Sequence, residues 1–131
     1  MAQRRIADAD GLAALAAVEA GSTLRADVAT AVRYLLEELA AIAPGKAVEV
    51  RVPPYGAVQC VEGLTHTRGT PPNVIETDAE TWIGLATGSL SWADARGAHR
   101  VSASGSRATL EGLIPVMRIG RGTGTQGELR E

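Results

Sequence analysis

"ETDAETWIGLATGSLSWADARGAHRVSASG" (residues 76–105) carries both tryptophans of a 131-residue chain that contains no phenylalanine. Asp78 stands where a helix N-cap belongs and Glu80 follows in the first turn, where the helix dipole favours negative charge. Trp82, Leu85 and Ala86 then share one helical face, and Gly88 ends the helix. Ser91, three residues before Asp94, opens a second short helix in the manner of a capping box, and Gly97 lies near its end. "RVSASG" next alternates Val101 and Ala103 with small hydroxyl residues, the pattern of a strand. The stretch therefore reads as a crossover from one strand to another through two short helices, with Trp82 and Trp92 pinning it to the domain.

The flanks supply the rest of the layers. "ADGLAALAAVEAG" predicts a helix that starts after Asp8 or Asp10 and stops at Gly21. Ser22 can accept a bond from an unpaired N–H of the next helix, along which Leu24, Val28, Ala31, Val32, Leu35, Leu36, Leu39 and Ile42 form one wide apolar stripe. "APG" (43–45) ends it, and a sheet is the most economical cover for such a stripe. "KAVEVRV" alternates Val48, Val50 and Val52 against Glu49 and Arg51, the mark of a strand with one wet face. Pro53-Pro54 turns the chain into "YGAVQCVEG", a partner strand with Val58 and Cys60 on one face. "LTHTRG" has some β character, and "VIET" (74–77) is a short strand. Ser106 is expected to open a final helix, "RATLEGLI", with Leu110, Leu113 and Ile114 inward and Pro115 stopping it. The resulting division is one domain over 1–117, with a helical segment at 9–43 and the sheet with its crossover helices at 46–117. The polar residues 118–131 are expected to form a flexible tail.

Composition narrows the function classes. Hydrophobic residues make up 45% and charged residues 21%, with a formal charge of −2. That balance is ordinary for a soluble globular protein and argues against nucleic acid or anionic lipid surfaces as electrostatic partners. A single cysteine, Cys60, forbids an intrachain disulfide and fits a reducing compartment. "MAQRRIADADG" has a basic pair but no apolar run, and no stretch approaches a membrane span. The expectation is a cytoplasmic protein.

"ETDAETWIGLATGSLSWADARGAHRVSASGSRATLEGLIPV" (76–116) resembles the second half of the type-2 sterol carrier domain. Asp78, Leu85, Thr87, Gly88, Ala95, Val101, Gly105 and Leu110 stand at comparable spacings. "VRVPPYGAVQCVEG" with "HTRGTPPNV" is similar to a bacterial branch of that family and to the carrier-like domain appended to mycothiol-dependent isomerases. The resemblance implies an α+β fold: a five-stranded, mostly antiparallel sheet with helices packed on one face. It also implies a tunnel between sheet and helices that holds a fatty acyl chain or sterol. One departure is His99, which stands where family members carry a glycine before the strand, with Gly97 two residues earlier; a reshaped turn is expected there.

Candidate sites follow. Trp82, Leu85, Leu90, Trp92, Leu110, Leu113 and Met117 are the lipid-pocket candidates, a few large apolar anchors among small residues; the same residues also suit a plain core. His66, Arg68, Thr70 and Asn73 could hold a carboxylate or phosphate head group, Arg as a fork and His as a proton acceptor. Their prolines equally suit a rigid loop. The spacing of Cys60, His66 and His99 matches no compact metal motif, and Cys60 reads as a small buried hydrophobe. "GRGTGTQG" (120–127) lacks the ending and the strand–helix setting of a phosphate loop. No nucleophile elbow is present, so neither catalysis nor a cofactor or metal is expected.

The function expected is binding or transport of an apolar ligand, a fatty acid, acyl thioester or isoprenoid or sterol-like lipid, without turnover. The alternative is an accessory or protein-interaction domain with a filled core. A homodimer or an unknown protein partner is compatible with either.

Overall fold

The computed structural model describes residues 6–63 and 73–117. Helices α1 (Asp8–Glu19) and α2 (Arg25–Ile42) form a hairpin. Strands β1 (Val48–Val52), β2 (Gly56–Cys60) and β3 (Asn73–Thr77) follow, then helices α3 (Ala79–Thr87) and α4 (Trp92–Gly97), and strand β4 (Val101–Ser104). The strands lie in the order β2-β1-β3-β4. β1 pairs antiparallel with β2 and parallel with β3, and β3 pairs antiparallel with β4. The fold is therefore α+β with one mixed sheet.

Register places the apolar pattern on one side. Val48 sits opposite Cys60 and Asn73, and Val50 opposite Val58 and Ile75. Val48, Val50, Val52, Cys60 and Ile75 are all buried, whereas Arg51 and Glu76, pointing the other way, are exposed. A strand's two-residue period makes this segregation follow directly from sequence. Of the α2 stripe, Ala31, Val32, Leu35, Leu36 and Leu39 are buried in the same core, whereas Leu24 and Ile42 at its two ends are exposed; α2 packs on β2 and α3. Trp82, fully buried, donates its indole N–H to the Val32 carbonyl at 3.3 Å, tying α3 to α2 across fifty positions of sequence.

Small residues set the closeness of the helical hairpin. Gly11 lies against the Tyr34 ring so tightly that a β-carbon there would collide with it. The Tyr34 hydroxyl donates to Asp8 at 2.8 Å, closing the hairpin's open end. At the other end Gly21, with φ at +107°, takes the left-handed conformation that stops α1, its neighbours closing the turn through Gly21 N–H to Val18 and Ser22 N–H to Ala17. The Ser22 hydroxyl accepts from Leu24 N–H and donates to Asp27, so it secures the helix entrance from two residues before the N-cap rather than as the cap itself.

Two expectations are corrected. The sheet has four strands among the described residues, not five; "LTHTRG" lies in the undescribed 64–72 segment. The final helix does not form: residues 105–117 run as successive turns. Gly105 and Gly112 adopt positive φ (105° and 86°), and only isolated bonds such as Leu113 N–H to the Leu110 carbonyl are made. The three-residue apolar spacing there serves inward-facing turns, with Leu110 fully buried. The tail (118–131) lies outside the described residues.

Candidate functional site

The crossover builds a groove. Asp78 caps α3, its carboxylate accepting Thr81 N–H at 2.8 Å, and directs Trp82 and Leu85 inward. At the far end Gly88, φ +91°, reverses the chain, and Gly88 and Leu90 both donate to the Gly84 carbonyl. The turn lays Leu90 over Gly84, where a β-carbon would stand 3.1 Å from that of Leu90. Ser91 then caps α4 by accepting Asp94 N–H at 3.0 Å, which sets Trp92 on the first turn. Arg96, one turn on, holds its guanidinium 5.8 Å from the centre of the Trp92 ring.

The opposite wall comes from the turns after β4. Val116 and Met117 donate to the Ala86 carbonyl at 2.8 and 3.2 Å, fastening this segment to α3. Between the two walls lies a groove of about 350 Å³, lined chiefly by Leu85, Leu90, Trp92, Ile114 and Pro115, with Glu111 at its edge.

The sequence-derived candidates divide. Leu85, Leu90 and Trp92 border this groove, Leu85 fully buried and the other two partly exposed. Trp82 and Leu110 are fully buried in the core, and Leu113 and Met117 pack against it half-buried. The layer between α2, α3 and the sheet is thus occupied by large side chains, and the groove lies beyond α3. Ile114, Pro115 and Glu111 were missed as walls, because the expected helix turned Ile114 into the core. The hinge Gly88 and the break at Pro115 were the signals available.

The polar candidates fare differently. His66, Arg68 and Thr70 lie outside the described residues. Asn73, buried, donates its side-chain amide to the Ala47 carbonyl at 2.9 Å and accepts Arg107 N–H at 2.8 Å. Its amide joins the start of β1, the start of β3 and the turn after β4, a structural clasp. Arg107 extends the clasp by donating to the Glu62 carbonyl at 3.2 Å.

Cys60 is buried in β2, and burial pushes its thiol up to about 11, so it stays protonated and unreactive at neutral pH. His99 holds the left-handed φ of 59° that a glycine would take. His99 N–H bonds Arg96 and Arg100 N–H bonds Ala95, the paired bonds of a Schellman ending. Histidine thus stands in a backbone geometry that glycine adopts more readily. A second cleft beside it, about 380 Å³, is lined by Pro53, Glu76, Asp78, His99 and Arg100. Of its groups, Asp78 caps α3 and Arg100 lies 4.0 Å from Glu80.

Among the described residues, no helix is long and apolar enough to cross a membrane. No curated protein matches the chain. A family model described as bacterial SCP ortholog matches residues 24–116, from the start of α2 to the wall of the groove. With the mixed sheet, the two-helix crossover and the groove in place, the chain belongs to this bacterial sterol carrier protein-like family.

Proposed function

We propose that the chain binds a small apolar ligand in the groove between α3, α4 and the 110–115 turns, without chemical turnover. The observation that carries this is the groove itself: about 350 Å³ walled by Leu85, Leu90, Trp92, Ile114 and Pro115, a size and character typical of small-molecule sites. Family membership agrees with a carrier role. The driving force is removal of apolar surface from water, at roughly 25 cal/mol per Å² before association costs. An isoprenoid or other alkyl chain suits these walls, which lie at the C-terminal end of α3 rather than in the expected sheet–helix tunnel.

The test is titration with a fluorescent alkyl probe. Saturable micromolar binding should quench tryptophan emission through Trp92, and Trp92→Phe should remove most of the quench while buried Trp82 still emits. Leu90→Asp should weaken binding at least tenfold. Absence of saturable binding by alkyl and isoprenoid probes refutes the reading.

The filled layer between α2, α3 and the sheet favours a second reading, an accessory domain that binds a protein instead of a lipid. Native mass spectrometry of gently purified protein separates the two, since a carrier retains lipid and an accessory domain does not.

A further inference from the structure

We propose that the groove is a slot of fixed width for one hydrocarbon chain and turns away a sterol nucleus, an inference that rests on the binding reading above and narrows its ligand class. Both walls are fastened to the last turn of α3 by backbone bonds. The Gly84 carbonyl accepts Gly88 N–H at 3.0 Å and Leu90 N–H at 3.1 Å, which fixes the wall carrying Leu90 and Trp92. Two residues on, the Ala86 carbonyl accepts Val116 N–H and Met117 N–H, which fixes the wall carrying Ile114 and Pro115. A helix end leaves its last carbonyls without intrahelical partners; here those carbonyls anchor the two walls. Side chains hold the same spacing. Leu90 rests on Gly84, where a β-carbon would stand 3.1 Å from that of Leu90, and a β-carbon on Gly88 would lie 3.4 Å from the Pro115 ring. Between the hinge and the opposite wall there is thus van der Waals room for a single carbon. Widening the groove means breaking backbone hydrogen bonds, whereas a change of rotamer does not suffice.

Capacity then decides the ligand. An apolar cavity of about 150 Å³ holds benzene, or about 25 Å³ per carbon. At that ratio the groove of about 350 Å³ takes about 14 carbons. That is one alkyl chain of middle length or an isoprenoid of two units. A sterol of about 27 carbons would need about 680 Å³. Its fused rings cannot bend to divide themselves between groove and water, as a longer chain can.

The experiment displaces a fluorescent alkyl probe with octanol, decanol, dodecanol, tetradecanol, octadecanol and cholesterol, each delivered from cyclodextrin and compared at equal free concentration. Uncharged heads keep the comparison to size. Each two-carbon step up to tetradecanol should tighten competition about fourfold, as half-buried methylenes do. Octadecanol should gain less than about twofold over tetradecanol, and cholesterol should bind at least about tenfold more weakly than dodecanol. Ala93 borders the groove from an exposed position on α4. Ala93→Leu adds three carbons there and should lower the plateau to about 11 carbons. Affinity that keeps climbing through octadecanol, cholesterol competing as well as dodecanol, or a plateau that Ala93→Leu leaves in place overturns the inference; the groove reading survives if Leu90→Asp still weakens binding. Failure of every alcohol and of the probe itself refutes the groove reading instead.

Discussion

Replacing His99 with glycine tests whether the turn into β4 is governed by backbone geometry. His99 is exposed and holds φ at 59°, with the paired Schellman bonds of α4 already formed around it. An L-residue in that region costs about 1–2 kcal/mol, less for histidine, which visits it more readily than most. Glycine relieves the strain but loses about 0.5–1 kcal/mol through its freer unfolded chain. With the histidine allowance, the balance predicts that His99→Gly stabilises by up to about 1 kcal/mol, a rise of at most a few degrees in Tm for a domain of this size. His99→Asn should lie between the two, and His99→Val should fall clearly below wild type, since a β-branched residue resists positive φ. Urea denaturation followed by circular dichroism gives the four stabilities, with an unchanged slope confirming that only the native turn is altered. A His99→Gly protein less stable than wild type refutes the reasoning and assigns the imidazole a contact in the adjoining cleft.

Two further outcomes follow from buried polar groups. Asn73→Ala strips partners from the Ala47 carbonyl and the Arg107 N–H, and should cost about 2–4 kcal/mol by urea denaturation at unchanged slope; a cost below about 1 kcal/mol would deny the clasp. For Cys60 the folded thiol ionises only near 11, above its ordinary value of 9.0. The neutral form is thus favoured by folding, and its stabilising contribution is complete below pH 9 and lost as pH rises from there toward 11. Relative to Cys60→Ala, the wild-type protein should lose about 1.4 kcal/mol per pH unit across that window, and native Cys60 should resist iodoacetamide at pH 8; a pH-independent difference would contradict the burial.

Most of the layering was legible because burial in helices and strands follows a short period. The α2 stripe and the Val48, Val50, Val52 alternation specify which faces turn inward, and Asp78, Gly88 and Ser91 mark the ends of α3 and the start of α4 by local hydrogen bonding that needs no distant partner. The last helix was misread for the same reason. Leu110, Leu113 and Ile114 repeat as a helix would, yet the segment's backbone is committed elsewhere, with Val116 and Met117 bonded to Ala86 on α3. Periodicity counts inward positions and does not say which backbone group satisfies them.

What the chain's sequence determined alone is the inward face of β1 and of the middle of α2, the caps of α3 and α4, and the sterol-carrier pattern over about residues 45–116. Tertiary structure decided the parallel seating of β3 beside β1, the filling of the layer under α3 by Trp82 and Leu110, and the gathering of the groove's walls from α3, α4 and the turns after β4. These depend on contacts between residues tens of positions apart, such as Trp82 with Val32 and Asn73 with Arg107. Such pairings are chosen by the competition of whole surfaces for the same space, and no local spacing records the result.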